Sequence, residues 1–555
     1  ILPTVSIEYD IMPKKTRGSE VSKIMNFLKK QSPVRIISMG FALVILIGSI
    51  LLSLPCSIQD GVTVRYIDAL YMSTSAVCVT GLLTVDAGDT FTPLGQFFLG
   101  LLIQIGGLGV TAVGTGVILA MGKKINLKAR NLIREASNLD SGKGVVRFVR
   151  MVLFTTVTFE LIGAALSFLV FSRSYSPLHA AGISLFHSVA AFNNSGFDIL
   201  GNMQNLIPYQ DDVFLNLVTC ALIIFGGIGF LVIREVIDKR FRWKKFSMHT
   251  KVVLSMSLVL TVAGTVLLKL TEDITWMGAF FTSVSARTAG FSTFPLGSFS
   301  NAGLLTVIVL MVIGTTNFAA LLLLVRRQAR KFMAVSEVRF MGLVLVMAIP
   351  LTALVLFFAA YADLPGSFRI AFFEVVSALS TSGFSTVGYT QWPQAAVFVL
   401  IVMMLIGGGI GSTAGGLKLT RVYLMLRGLG DSLRRRNAPA GAVSCMFFKR
   451  PQGRVAIDQK LLADTANFVF CYFLIYLIGT FLLMLTANCS LIEAMFDFAS
   501  ALGTVGLSIG ITGPATPALA LIVEMAGMLL GRLEIFILLS GIHAGFLRLK
   551  NAVFQ

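Results

Sequence analysis

Charge, cysteine and long polar linkers are all scarce in this sequence. Only 13% of its 555 residues are Asp, Glu, Lys or Arg, against about a quarter in an ordinary soluble domain. A soluble chain of this length divides into domains joined by polar linkers, and none is present at that scale. Six cysteines stand without CxxC spacing, which argues against a disulfide framework and against a zinc site. The four histidines, His179, His187, His249 and His543, share no ligand spacing. No GxSxG, Walker A or strand–turn–helix GxGxxG is found, so an enzyme reading rests on nothing positive. The first 33 residues lack the apolar core and cleavage site of a signal peptide. Because the chain opens on Ile1, its natural start is expected to lie further upstream.

Apolar residues dominate instead: 55% of the chain is hydrophobic, with a mean hydropathy of +0.84. Runs such as 36–54, 97–121, 151–171 and 395–407 with its flanks approach or exceed the roughly 20 helical residues that span a hydrocarbon core. The expected fold class is an all-α integral membrane protein. The net charge of +18 does not point to nucleic acid, because of where it lies. Of 45 Lys and Arg, 39 fall within 1–35, 123–150, 234–251, 326–339, 418–460 and 548–550. The alternate linkers hold Arg65, Arg173, Lys269 and Arg369 beside acids such as Asp86, Asp89, Asp198 and Glu272. This alternation is the positive-inside pattern and puts both termini in the cytoplasm, with basic loops facing lipid headgroups or an acidic partner.

A fivefold internal repeat is centred on Gly81, Gly196, Gly290, Gly383 and Gly506. Ten residues before them stand Tyr71, Phe186, Phe280, Phe373 and Phe496, and just after them Leu82, Phe197, Phe291, Phe384 and Leu507. A second glycine follows in an apolar run at Gly107, Gly227, Gly314, Gly408 and Gly531. Each unit reads as a spanning helix, a short helix, a glycine loop and a second spanning helix, about ten transmembrane helices in all. Segments such as 67–75 and 491–502 are too short to cross a bilayer. Irregular backbone at membrane depth is tolerated where it lines a water-filled path or is buried in protein. The loops Val79-Thr80-Gly81, Asn194-Ser195-Gly196, Thr288-Ala289-Gly290, Thr381-Ser382-Gly383 and Thr504-Val505-Gly506 suit a ring of backbone carbonyls around a cation. Glycines that only cap re-entrant helices in a carrier are the alternative.

The loops TSAVCVTGLLTVD, SVAAFNNSGFD, SVSARTAGFST, SALSTSGFST and SALGTVGLSIG, with IQIGGLG, FGGIGF, FSMHTK, GGGIGSTAGGLK and GRLEIF, resemble those of the Trk/Ktr/HKT potassium-transporter superfamily over about residues 34–550. The resemblance implies potassium uptake through one pore ringed by four helix–loop–helix units. It also implies a homodimer, a separate cytoplasmic nucleotide-binding regulatory subunit, and a plasma (inner) membrane location. In that family a serine at the first-loop glycine accompanies Na⁺ preference. Gly81 therefore favours K⁺, with possible Na⁺ passage and a secondary carrier of another small solute as alternatives. This chain departs in having five units: a tail 1–33, units 34–122, 147–240, 249–330 and 337–428, a basic loop 429–460, and a fifth unit 461–550. Since four loops make the family's ring, the third unit is expected to be the supernumerary one.

Glycines at 407, 408, 409, 411, 415 and 416, with Ser412 and Thr413, break an apolar helix in mid-run, where each glycine costs up to about 1 kcal/mol relative to Ala. The resemblance makes Gly407, Gly408, Gly409, Gly411, Ser412, Thr413, Gly415 and Gly416 an intramembrane gate below the filter; small-residue helix packing is the alternative. Arg532 lies in an apolar run, where a charge usually faces a cavity or a partner. The resemblance puts it in the pore-lining helix beside the gate, against pairing with Glu534 or snorkelling. Glu160, also within an apolar run, reads as a structural bridge.

Overall fold

The computed structural model describes residues 33–109, 112–113, 144–202, 204–286, 289–410, 412, 414–437, 439 and 446–532. They form five helical units in chain order. The first comprises α1 (Pro33–Leu52), α2 (Tyr66–Cys78) and α3 (Pro93–Leu108); the second α4 (Val145–Phe171), α5 (Pro177–Phe192), α6 (Val213–Gly227) and α7 (Phe230–Asp238). The third holds α8 (Met248–Thr271), α9 (Trp276–Ser285), α10 (Asn301–Gly314) and α11 (Phe318–Val325). The fourth holds α12 (Ser336–Leu356), α13 (Leu364–Ser380), α14 (Gln394–Ile406) and α15 (Leu419–Arg436). A hairpin, β1 (Phe447–Arg450) with β2 (Gly453–Ala456), leads to the fifth: α16 (Gln459–Ala487), α17 (Leu491–Gly503) and α18 (Ala518–Arg532).

Local chemistry fixes where these helices start. The Thr92, Asp212 and Ser300 side chains accept from Gly95, Leu215 and Gly303 amides at the heads of α3, α6 and α10, satisfying donors that a helix start leaves free. At α17, Ser490 and Glu493 form a capping box. In four of the five units the first helix packs on the short one through a glycine. A Cβ on Gly48, Gly163 or Gly264 would stand 2.6, 2.5 or 2.3 Å from the Oγ of Ser73, Ser188 or Ser283, and one on Gly479 would stand 1.9 Å from the Phe498 ring. The three serines donate to the carbonyls of Ile45, Glu160 and Thr261 in the same helices, the close approach that small residues allow in lipid.

Among the described residues four helices are long and apolar enough to cross a membrane: Val145–Phe171, Met248–Thr271, Ser336–Tyr361 and Gln459–Ala487. Their outward faces are apolar, with Phe154, Val346 and Phe470 exposed by 74%, 70% and 69%. That suits lipid and not water. Shorter apolar helices stand where the sequence expectation of about ten spans puts second helices. The second helices α3, α10 and α14 have 16, 14 and 13 residues, about 20–24 Å of helix at 1.5 Å per residue. Glycines end them early: Gly109 caps α3 at φ 83° and Gly407 caps α14 at φ 66°. At Gly229, φ 85°, α7 turns 94° away from α6. The termini, which the charge pattern puts in the cytoplasm, lie outside the described residues.

Candidate functional site

Four of the five short helices end in one backbone figure. Val79, Asn194, Thr381 and Thr504 are left-handed, at φ 54°, 51°, 52° and 51°, and the glycines two residues on are too, at φ 87°, 72°, 73° and 88°. The residues between them, Thr80, Ser195, Ser382 and Val505, are not among the positive-φ residues. Alternating handedness turns successive peptide planes to a common side. Left-handed backbone costs a side-chain-bearing residue about 1–2 kcal/mol. Two closing bonds per loop offset it, for example Val79 N to Ala76 O at 3.3 Å and Thr80 N to Ser75 O at 3.1 Å, with equivalents at 194–195, 381–382 and 504–505.

The third loop differs. Ala289 N bonds Ser285 O at 3.2 Å, four residues back, where the residue before the glycine elsewhere reaches five back. Ser285 Oγ donates to the Phe291 carbonyl, six residues on, whereas Ser377 Oγ donates to Phe384 O, seven on. The loop is one residue short. The buried aromatic matching Tyr71, Phe186, Phe373 and Phe496 is accordingly Phe281 and not Phe280, which is only half-buried. Thr288 lies outside the described residues.

The five units close into a ring by one repeated seam. The second helix of each unit packs on the short helix of the next: α3 on α5, α6 on α9, α10 on α13, α14 on α17, and α18 back on α2. At the centre is a cavity of about 390 Å³ lined by Val79, Thr80 and Gly81, by Asn194, Ser195 and Gly196, by Gly290, by Thr381, Ser382 and Gly383, and by Thr504, Val505 and Gly506, with Gly107, Phe230 and Arg532. The expectation that one loop stands outside therefore meets a different geometry, with both Gly290 and Gly383 on the wall. A Cβ on Gly81 would lie 3.8 Å from Ser195 O, one on Gly290 2.7 Å from Gly196 Cα, one on Gly383 2.6 Å from Val505 O, and one on Gly506 3.3 Å from Thr80 O. Three carbonyls that immediately precede a loop glycine thus stand at the seams. The Oγ1 of Thr80 and the Oδ1 of Asn194 have no protein partner.

Second-helix glycines let the loops sit this deep. A Cβ on Gly106, Gly226 or Gly531 would meet the Val77, Phe192 or Leu502 carbonyl at 2.4, 1.7 or 2.3 Å. In the first two units the contact with the unit's own loop is thus one residue before the repeat glycines Gly107 and Gly227, and Gly107 instead faces Asn193 of the second unit, whose Oδ1 would lie 1.9 Å from a Cβ there. Arg532 reaches the Gly106 carbonyl at 3.2 Å from the cavity wall.

The glycine-rich break of the fourth unit is folded back on itself. Leu417 N and Lys418 N bond Leu405 O and Ile406 O at 3.0 and 2.9 Å. Gly415 N donates to Thr381 Oγ1 at 2.8 Å, and a Cβ on Gly415 would stand 1.9 Å from Gly503 O. Gly409 N bonds Thr315 O and Ile410 N bonds Glu337, while Gly407 and Gly416 are left-handed and touch each other. The described residues Gly407, Gly408, Gly409, Ser412, Gly415 and Gly416 do not line the cavity; Gly415 backs the fourth and fifth loops, while Gly408 and Gly409 pack on Thr315 of the third unit. Gly411 and Thr413 lie outside the described residues.

Buried carboxylates hold the loops, and sequence reasoning passed over most of them. Glu374 accepts from Thr386 N and Oγ1 and from Tyr389 Oη at 2.8, 2.7 and 2.5 Å. Asp497 accepts from Ile509 N, Ser508 Oγ and Ile511 N. Both stand nine residues before a loop glycine and brace the amide three after it, a shared spacing that could have revealed them. Glu524 joins Tyr71 of the first unit to Thr512. Glu160, expected as a bridge, does accept from Asn193, which also donates to Gln104. Among the described residues no group of three His, Cys, Asp or Glu could hold a metal ion, and the loop side chains that line the cavity with oxygen are hydroxyls and the amide of Asn194.

The profile of the TrkH family, a cation transport protein, matches residues 9–276, 250–320 and 317–540. The chain belongs to the TrkH family. Within it, a potassium/sodium uptake protein of Enterococcus hirae is 34% identical over 415 residues, covering 68% of this chain and 91% of that protein. A Ktr-system potassium uptake protein B of Bacillus subtilis is 32% identical over 487 residues, 88% of each chain. In fold, the TrkH-family chain is similar to the crystal structure of the potassium transporter TrkH from Vibrio parahaemolyticus. The TM-score is 0.51 at 21% identity, covering 80% of this chain and 97% of that one. The chain is thus a mostly helical, multi-pass membrane protein of a transport family, not of an enzyme class.

Proposed function

We propose that this chain takes up potassium across the plasma membrane, with the loop carbonyls around the central cavity replacing part of the ion's hydration shell. The observation that carries the reading is the convergence of all five loop glycines on one cavity, four of them in the same alternating backbone figure. A filter needs closely set, inward carbonyls without bulky side chains, and those loops supply the means. Support for K⁺ comes also from the names of the Bacillus subtilis and Enterococcus hirae relatives. The second of these names sodium too, which favours some Na⁺ passage as the second reading. The 407–416 loop acts as the gate: Gly415 is hydrogen-bonded to filter residue Thr381, so movement of one reaches the other. Arg532, a cation on the cavity wall, raises the barrier to resting flow. The chain works as a homodimer with a separate nucleotide-binding cytoplasmic subunit, its termini and basic loops on that side.

The test is growth of a host lacking its own potassium uptake on low potassium. The wild-type chain should rescue it, and Gly81→Ser should rescue less and sensitise the host to sodium. Correctly inserted wild-type protein that gives no rescue overturns the reading.

A further inference from the structure

We propose that the pore is five-sided, with the third unit built into its wall, and that it consequently discriminates poorly against monovalent cations larger than K⁺. The inference rests on the filter reading above. Three observations carry it. The seam between a second helix and the next short helix occurs five times, and the last closes on the first, so there is no break at which a unit is left outside. The third unit is gripped from both sides. On one side Gly290 is so near Gly196 that a Cβ there would lie 2.7 Å from the Gly196 Cα; on the other, a Cβ on Gly297 would lie 3.0 Å from Thr386 O, and Ser382 Oγ stands 3.0 Å from Met311 Sδ. The short third loop also gives the cavity Gly290 without Ala289, whereas each other loop gives the residue before its glycine as well.

At equal spacing between neighbouring strands, a regular five-membered ring has a radius about 1.2 times that of a four-membered one, and cavity size is one determinant of which cation a carbonyl ring suits. On the third side Ala289 is withdrawn from the wall on which its counterparts Thr80, Ser195, Ser382 and Val505 stand. A K⁺ ion at the centre keeps water on that side, and a larger cation such as Cs⁺ is held about as well.

Purified full-length protein in liposomes should be assayed for K⁺, Rb⁺ and Cs⁺ flux, in wild type and in Gly81→Ala, Gly383→Ala and Gly290→Ala. Cs⁺ flux within about tenfold of K⁺ flux is expected from a widened ring, and a larger preference for K⁺ overturns the proposal. Gly290→Ala should lower flux at least as much as Gly81→Ala. If Gly81→Ala and Gly383→Ala impair transport while Gly290→Ala is like wild type, the third loop is outside the pore and the proposal fails. If all three leave K⁺ flux unchanged, the filter reading itself fails. The wild-type Cs⁺ measurement decides even if Gly290→Ala does not fold.

Discussion

Adding one methyl group at Gly383 should impair selective uptake far more than adding one at Gly81, although both glycines occupy the same place in the repeat. Each is left-handed, at φ 73° and 87°, so alanine costs about 1–2 kcal/mol in backbone strain at either site. The surroundings differ. At Gly81 the nearest atom to the new Cβ is Ser195 O at 3.8 Å, an ordinary contact, whereas at Gly383 Val505 O lies at 2.6 Å. Ordinary contact begins at 3.4 Å, so the Val505 carbonyl must retreat by 3.4 − 2.6 = 0.8 Å. That carbonyl belongs to the fifth loop, and displacing it perturbs two walls of the ring. With a clash term of similar size to the strain, Gly383→Ala costs about 2–4 kcal/mol, or roughly 30-fold to 1000-fold, against roughly 5-fold to 30-fold for Gly81→Ala. The assay is rubidium uptake into liposomes with K⁺ and Na⁺ as competitors, after checking that each variant is monodisperse. Equal uptake and equal competition profiles for the two variants refute the reasoning.

Glu374→Ala should strip Thr386 N and Tyr389 Oη of their acceptor. A buried unsatisfied donor costs about 1–3 kcal/mol, so a fall in detergent melting temperature should accompany loss of transport, and an unchanged melting curve contradicts it. Deleting several residues of 407–416 should raise cation flux and reduce dependence on a regulatory subunit; a folded deletion with wild-type flux rules out the gate. Asp198, in the stretch after Gly196, is pushed up to about 6 by burial, with Asp86 and Asp89 adding to the effect against a Leu200 amide bond. A raised carboxyl pKa contributes stability below the unfolded value of about 3.9 that is lost as pH rises through the folded one. Asp198→Asn should therefore melt higher than wild type at pH 7, with the gain vanishing toward about pH 4; a gain that is constant across that range contradicts the assignment.

The repeat was legible because its glycines and aromatics keep their spacing, and each marks a physical need: a left-handed turn or a buried ring. The register of the third loop was not, because Phe280 and Phe281 are adjacent and a one-residue shortening simply moves the burial from one to the other. Spacing along a chain also carries no information on how many units surround an axis. Four was the family's number, and the fifth seam appears only in the packing of α18 on α2. Glu374 and Asp497 escaped notice because an acid in a short helix looks like a solvated residue until the strand it braces folds back over it. Where the second helices stop was not legible, because the apolar runs continue past the glycines that bend or cap them, as at Gly229 and Gly407.

The central claim is that the loop glycines encircle a cation. Crystals of the protein grown in rubidium or thallium salt would locate that ion by its anomalous scattering. A peak inside the ring of Gly81, Gly196, Gly290, Gly383 and Gly506, lost on exchange into a salt of an impermeant organic cation, is the predicted result. Clear density for all five loops with no ion between them, or an ion bound only elsewhere in the chain, would contradict it.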